Sequence, residues 1–494
     1  MKKYFVLFLA MGILFNSCNK DDDALTMKRG IKIESDDLIV QDFMWKTMNF
    51  WYFWQEDVAD LADDKFPNTE VGIQAYNDFL AKEENPGDFF DKHLLHSDDR
   101  FSFYAEDYTE LTQVLSGISK SNGLEFGLVL YDTDKVLGYV RYIIPNSDAA
   151  TKDISRGELF TGVNGNILTL DNYIDLLFGD ADTYTLNMAT ITNNEINPID
   201  KEVSLTKIEG LSENPVFLSK TFEVNGEKIG YLVYNGFTNE FDEDLNNAFG
   251  DFKSAGITNL ILDLRYNPGG SVNSARLLSS MISGDNTTDI FLRQRWNSRW
   301  QSEFSEDQLV DKFADKTTAG TDLNRLNLSK VYVLATNSSA SSSELLINGL
   351  APYIDVVHIG ETTTGKNEFS ITMVDDFDNN NIYHKSRENK INPKNKWAIQ
   401  PLVGRNENAD GFYDYTSGLV PDIELEEDLE NLGVLGEQNE PLLARAIQEI
   451  TGISSKRDFT VKTPATIMTS SKMFTPIKDN MFLDKPLNID INMR

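Results

Sequence analysis

The chain has 494 residues, room for about three domains at the usual ~150 residues each. Apolar residues make up 40% and charged residues 25%, which excludes a disordered or a largely membrane-spanning chain. With 78 acidic against 45 basic side chains the formal net charge is -33, a surface that repels phosphate backbones and argues against a general nucleic-acid role.

Lys2 and Lys3 precede an apolar run over 4–15, too short for the ~20 residues a membrane span needs but suited to a signal peptide. Cys18, the only cysteine, follows directly. The arrangement resembles a bacterial lipoprotein signal, although Phe15-Asn16 departs from the small, aliphatic pattern usual before the cysteine. The resemblance implies a signal peptide over 1–18, acylation at Cys18 and an acidic tether over 19–26. It places the body in water, anchored to an envelope membrane, the outer one by expectation, facing the periplasm or the surface. No cysteine remains for a disulfide, so burial has to hold the mature protein together.

Residues 37–80 carry Phe43, Met44, Met48, Trp51, Trp54, Tyr76, Phe79 and Leu80 at helical spacing, so 27–112 reads as a small helical domain whose role is not legible. His93 and His96 stand beside Asp91, Asp98 and Asp99. Spacing offers no third ligand, so the cluster reads as a solvated helix end or loop, and no metal is expected.

Gly123-Leu124-Glu125-Phe126-Gly127 opens a strand over 128–131, and further strands are expected at 138–144 and 159–163, closed by the Asn164-Gly165 turn. A helix follows from Asp171, with Tyr173, Ile174, Leu176 and Leu177 as its apolar face. The order of these motifs resembles a PDZ domain over 113–210. In that family the loop matching Gly123, Leu124, Glu125 and Phe126 holds a peptide carboxylate on successive N–H groups, while the peptide adds a strand to the sheet edge.

From 211 to 455 the pattern is that of an α/β unit, with strands expected at 228–234, 259–264, 331–336 and 356–360 and a helix over 241–255. Gly269 and Gly270 close the turn after the second strand, where adjacent glycines let backbone N–H groups approach a ligand oxygen. The third strand runs into Ser338, Ser339, Ser341, Ser342 and Ser343, ahead of a helix over 345–350. A serine there stands at the positive end of a helix dipole, although a run of serines also makes a simple polar cap. None of the four histidines falls in a triad motif with this loop. Lys366, in the turn after the fourth strand, serves as a base if burial depresses its pKa by several units.

Together these clusters, with Gly418-Leu419-Val420-Pro421-Asp422, resemble the tail-specific, or carboxy-terminal processing, serine protease family over most of 115–450. In that family the nucleophile lies three residues before a glutamate and 25 before a lysine; counting back from Glu344 and from Lys366 both give Ser341. The resemblance implies a multidomain α+β protein: a crotonase-like α/β protease core, an inserted or preceding PDZ-like β-domain and a small N-terminal helical domain. It implies Ser341 as nucleophile, Lys366 as base, and an oxyanion hole from the backbone N–H of Ser342 with Gly269 or Gly270. No cofactor or metal is needed, and the partners are polypeptides presented by their C-termini. Where the family often has a lysine-orienting glutamine, this chain has Ser370, with Glu368 nearby. A peptide-binding scaffold without catalysis and an acyl hydrolase are the competing classes. Residues 456–494 form a tail in which no chemistry is legible.

Overall fold

Residues 229–234, 260–262 and 331–335 are apolar without alternation, the pattern of strands covered on both faces. In the computed structural model they lie side by side in a six-stranded sheet, in the order Val216–Val224, Glu227–Tyr234, Asn259–Asp263, Lys330–Ala335, Asp355–Gly360 and Ile423–Glu424. The first pair is antiparallel and the others are parallel. Parallel neighbours need long crossovers, and the helices Asp242–Ala255, Val272–Ser283 and Ser342–Leu350 lie in them. Asn259–Asp263, Lys330–Ala335 and Asp355–Gly360 are consecutive in this sheet. The loops leaving their carboxyl ends, 264–269, 336–341 and 361–367, therefore emerge together, as open α/β sheets build sites. The structure describes residues 31–192, 195–284, 287–453, 459–475 and 478–484; the signal region, Cys18 and the tether lie outside them.

Ahead of this sheet stands an antiparallel β-domain of Leu124–Tyr131, Lys135–Ile143, Leu159–Val163, Thr183–Thr192 and Glu195–Thr206, flanked by the helix Tyr173–Phe178. It has its own core, including Leu124, Phe126, Val140, Phe160 and Leu186. The helix is six residues long and buries only Leu177 fully; Ile174, expected on its apolar face, is 48% exposed. Tyr173, Leu176 and Phe178 are partly buried against that core, so the covered face leaves Ile174 outside it.

The 456–494 region does more than the sequence suggests. Ile467–Ser470 adds antiparallel to the Leu124–Tyr131 edge of the β-domain. Met481–Phe482 enters a second sheet between Gly270–Ser271 and Glu368–Ser370.

The N-terminal helices are Ile39–Trp51, Glu70–Leu80 and Pro86–His93. Thr69 and Asn85 cap the second and third, their side-chain oxygens accepting the N–H groups of Gly72 and Gly87 at 3.2 and 2.7 Å. These helices are not an isolated unit, because Phe43, Met44, Met48 and Trp51 bury into the same core as the central sheet. Trp51 stacks on Trp300 with centroids 4.4 Å apart and 5° between planes, and its indole N–H donates to the Asn380 carbonyl at 2.9 Å. A strand, Phe103–Ala105, pairs with Ala398–Gln400. His93 lies 3.3 Å from Glu83, and the His96 ring stacks on Trp54. Among the described residues no group of three His, Cys, Asp or Glu is arranged to hold a metal.

Trp51→Ala removes the stacked partner of Trp300 and the indole N–H that the Asn380 carbonyl accepts. It is expected to lower unfolding free energy by about 3–5 kcal/mol, the usual cost of an aromatic core deletion. Urea denaturation checks this; a change below about 1 kcal/mol would show that the N-terminal helices are not held through this stack.

Candidate active site

The serine-rich loop sorts its hydroxyls by hydrogen bonding. Ser339 Oγ donates to the Leu264 carbonyl at 2.7 Å, Ser342 Oγ to Gly270 at 2.8 Å and Ser343 Oγ to Asn267 at 3.0 Å. Ser338 Oγ accepts from Arg141 at 2.9 Å. The Ser341 hydroxyl alone of the five is buried without a hydrogen-bond partner. Three of the serines are thus stitches between this loop and the glycine turn, and they fix the position of the fourth. Ser341 is fully buried at the N-cap of Ser342–Leu350 with φ 66° and ψ -114°, a backbone conformation that costs energy in a residue with a side chain. The Ser342 N–H, first in the helix, has no acceptor within it.

One carboxylate joins this loop to the lysine loop. Glu344 Oε2 accepts the backbone N–H groups of Ser341 at 2.7 Å and Lys366 at 2.9 Å. Its Oε1 accepts the Gly365 N–H at 2.6 Å and the Thr363 hydroxyl. Burial pushes the Glu344 pKa up to about 7, against the pull of those four donors.

Lys366 is 1% exposed. Burial lowers its pKa to about 8; the nearby carboxylates Asp479, Glu368 and Asp99 oppose the shift. Its ammonium lies 4.8 Å over the Phe101 ring. Arg100 donates to the Gly365 carbonyl, so the segment after the N-terminal helices braces the lysine turn. The spacing of residues does not flag Phe101, Arg100 or Asp479, which lie far from Lys366 in sequence.

Gly269 packs against Ser341. A Cβ added at Gly269 would lie 2.6 Å from Ser341 Cβ, 3.0 Å from its Oγ and 2.7 Å from the Asn480 carbonyl, so only glycine fits, with φ 112°. Gly269 N–H donates to Asn267 Oδ1 at 2.9 Å. Gly270 pairs with Met481 of the returning segment. The turn is held by a buried charge network that the glycines alone did not suggest. Arg265 pairs with Asp263 at 2.7 Å, with Glu440 at 2.5 Å and with Glu427 at 3.2 Å. Arg156 of the β-domain reaches Glu427 at 2.8 Å and the Tyr266 hydroxyl at 2.6 Å. The two arginines hold the Glu427 pKa down at about 2 despite its burial.

Ser370 hydrogen-bonds to amide side chains. Its hydroxyl lies 2.6 Å from Gln400 Oε1 and 2.9 Å from Asn480 Oδ1, so its single proton is committed away from Lys366. In the 123–126 loop, Gly123 and Leu124 give their N–H groups to the Ser121 and Asn122 side chains at 3.0 Å each. The Phe126 N–H reaches the Ser471 hydroxyl, also at 3.0 Å. The row of free N–H groups expected for a carboxylate is therefore largely satisfied locally, by the turn that sets up the strand.

The chain is similar to known proteases. The model of Peptidase family S41 matches residues 228–409, and that of the Peptidase S41 N-terminal domain matches 40–103. The carboxy-terminal processing protease CtpB of Bacillus subtilis is 28% identical over 154 residues, 31% of this chain and 28% of that protein. The carboxyl-terminal-processing protease of a Picosynechococcus species is 26% identical over 166 residues, 34% of this chain and 35% of that one. The matches span about a third of the length of these curated relatives. A solved structure from Bacteroides fragilis, assigned to the S41 proteases, is 26% identical and superimposes with a TM-score of 0.63 over 83% of this chain and 97% of its own. Over residues 228–409 the chain is thus similar to peptidase family S41, and over 40–103 to that family's N-terminal domain.

Proposed function

We propose that the chain is a serine endopeptidase working through Ser341 and Lys366, with a PDZ-like domain receiving polypeptide C-termini and a lipid anchor at Cys18. On this reading the six-stranded unit is a crotonase-like core and the mature protein is exported and anchored to an envelope membrane. The observation that carries the reading is the Glu344 carboxylate, which binds the backbone of both Ser341 and Lys366. It explains why two loops from different strands meet with a partnerless hydroxyl on one and a buried amine on the other.

In the reaction, neutral Lys366 takes the Ser341 proton while Oγ bonds to the scissile carbonyl carbon. The oxyanion is received by the Ser342 N–H together with that of Gly269 or Gly270, Gly269 serving once Asn267 releases it. The ammonium then protonates the leaving amine as the C–N bond breaks. Water, deprotonated by the same lysine, frees the acyl group. Burial, opposed by Asp479 and Glu368, leaves the lysine pKa at about 8, where a useful fraction is neutral near pH 8.

Ser341→Ala and Lys366→Ala are each expected to lower turnover of an unfolded polypeptide by at least about a thousandfold with folding intact. Full activity in either variant would remove that residue from the mechanism. Because the neutral amine is the active form, kcat/KM rises with pH through about 8 and then levels off. Asp479→Asn removes the foremost charge that favours the ammonium, so the rise moves to lower pH; no movement, or an upward one, would separate Asp479 from the lysine. Glu344→Gln leaves only one oxygen for four donors and orphans those on the other side. It is expected to cost about 2 kcal/mol or more in stability and most of the activity. A variant as stable as the parent in chemical denaturation would show that the clamp is dispensable.

A further inference from the structure

The edge of the β-domain where a peptide would add a strand is already filled. Ile467, Thr469 and Ser470 pair antiparallel with Val129, Leu128 and Gly127, so the segment runs toward the 123–126 loop. At that loop the Ser471 hydroxyl accepts the Phe126 N–H at 3.0 Å and donates to Glu125 at 2.6 Å. Met468 packs on the β-domain core. Phe474 stacks on Phe178 of the flanking helix, centroids 3.8 Å apart and planes 12° apart. Beside these contacts lies a cavity of about 220 Å³, lined in part by Leu124, Phe126, Leu177 and Phe178. Farther along, Asn480 and Met481 lie against Gly269 and Gly270, next to Ser341.

From these contacts we infer that residues 467–474 are an intramolecular ligand of the peptide-adding edge, competing there with any incoming polypeptide. The inference rests on the reading of this edge as the substrate-receiving one. A strand laid on a sheet edge draws affinity from main-chain hydrogen bonds and selectivity from alternate side chains. The resident segment therefore states the class of peptide that fits: extended, apolar at the Met468 position, with a small hydroxyl where Ser471 meets the Phe126 N–H, and an aromatic three residues on. A tethered strand acts at an effective concentration in the millimolar range, so a free peptide of the same sequence binds only when the tether lets go. Substrate capture and release of 467–474 are then one event.

The probe is a fluorescein-labelled peptide of residues 465–475, and the protein is the full chain carrying Ser341→Ala so that nothing is cut. Two loosened forms are compared with it. Thr469→Pro with Ser470→Pro removes a ladder donor whichever of the two faces the edge, and Ser471→Ala with Phe474→Ala removes the hydroxyl bridge and the ring stack. Loosened forms with an unchanged melting midpoint are expected to bind the peptide about a hundredfold more tightly than the unloosened chain. Amides of 124–131 should exchange faster in the loosened forms and regain protection with peptide. On the Ser341 background, turnover of an unfolded polypeptide should rise several-fold. If the proline form melts early, the alanine form decides. Equal peptide binding by loosened and unloosened folded chains would overturn the inference. Tighter binding with no turnover in any form would instead overturn the peptidase reading and leave the occupied edge standing.

Discussion

Everything at this site depends on the Glu344 carboxylate being filled on both oxygens. The four donors come from the two loops that follow Lys330–Ala335 and Asp355–Gly360. A buried carboxylate is costly to dehydrate, and only a full set of donors makes its burial tolerable. The two loops therefore cannot drift apart without exposing an unmet charge. That constraint turns a pair of strand ends into a fixed distance between a hydroxyl and an amine. The sheet brings the loops near each other; the carboxylate sets how they meet.

A second buried set does the corresponding work between domains. Arg265 and Arg156 share Glu427, while Asp263 and Glu440 complete the shell of Arg265. Removing one member of such a set leaves an uncompensated charge in the interior, which penalises any other packing of the β-domain on the core. Arg141 adds a contact from the β-domain directly to the serine loop through Ser338. The β-domain is thus hydrogen-bonded to both the turn and the loop that surround Ser341. Movement of one has to be felt by the other.

The parts of this arrangement that were legible in the sequence are those with local signatures. The uniform apolar runs marked the strands of the central sheet, the paired glycines marked the turn, and the serine run marked the helix start, which the structure moves to Ser342 because Ser341 is its cap. What could not be read is what arrives from far along the chain. Phe101 and Arg100 reach the lysine turn across 265 positions of sequence. Ser471 meets Phe126 across 345. Neither carries a periodicity, since Arg100 and Phe101 lie outside any helix or strand and Ser471 opens a 3-10 helix of only four residues. The hydrogen bonds of Ser370 were likewise not legible, because its partners Gln400 and Asn480 are both remote in sequence.

The return of residues 478–484 to the glycine turn has a consequence for how the protein comes into being. The site is closed by a segment at the end of the described residues that pairs with Gly270–Ser271 and Ser370, more than a hundred residues earlier, and contacts of such sequence separation form late, after shorter loops have closed. A polypeptide made from its N-terminus lacks the Met481–Phe482 strand long after the glycine turn and the serine loop have been made. The surroundings of Ser341 are therefore unfinished until that strand is in place. Topology alone thus sets the closing of this site late in the folding of the chain.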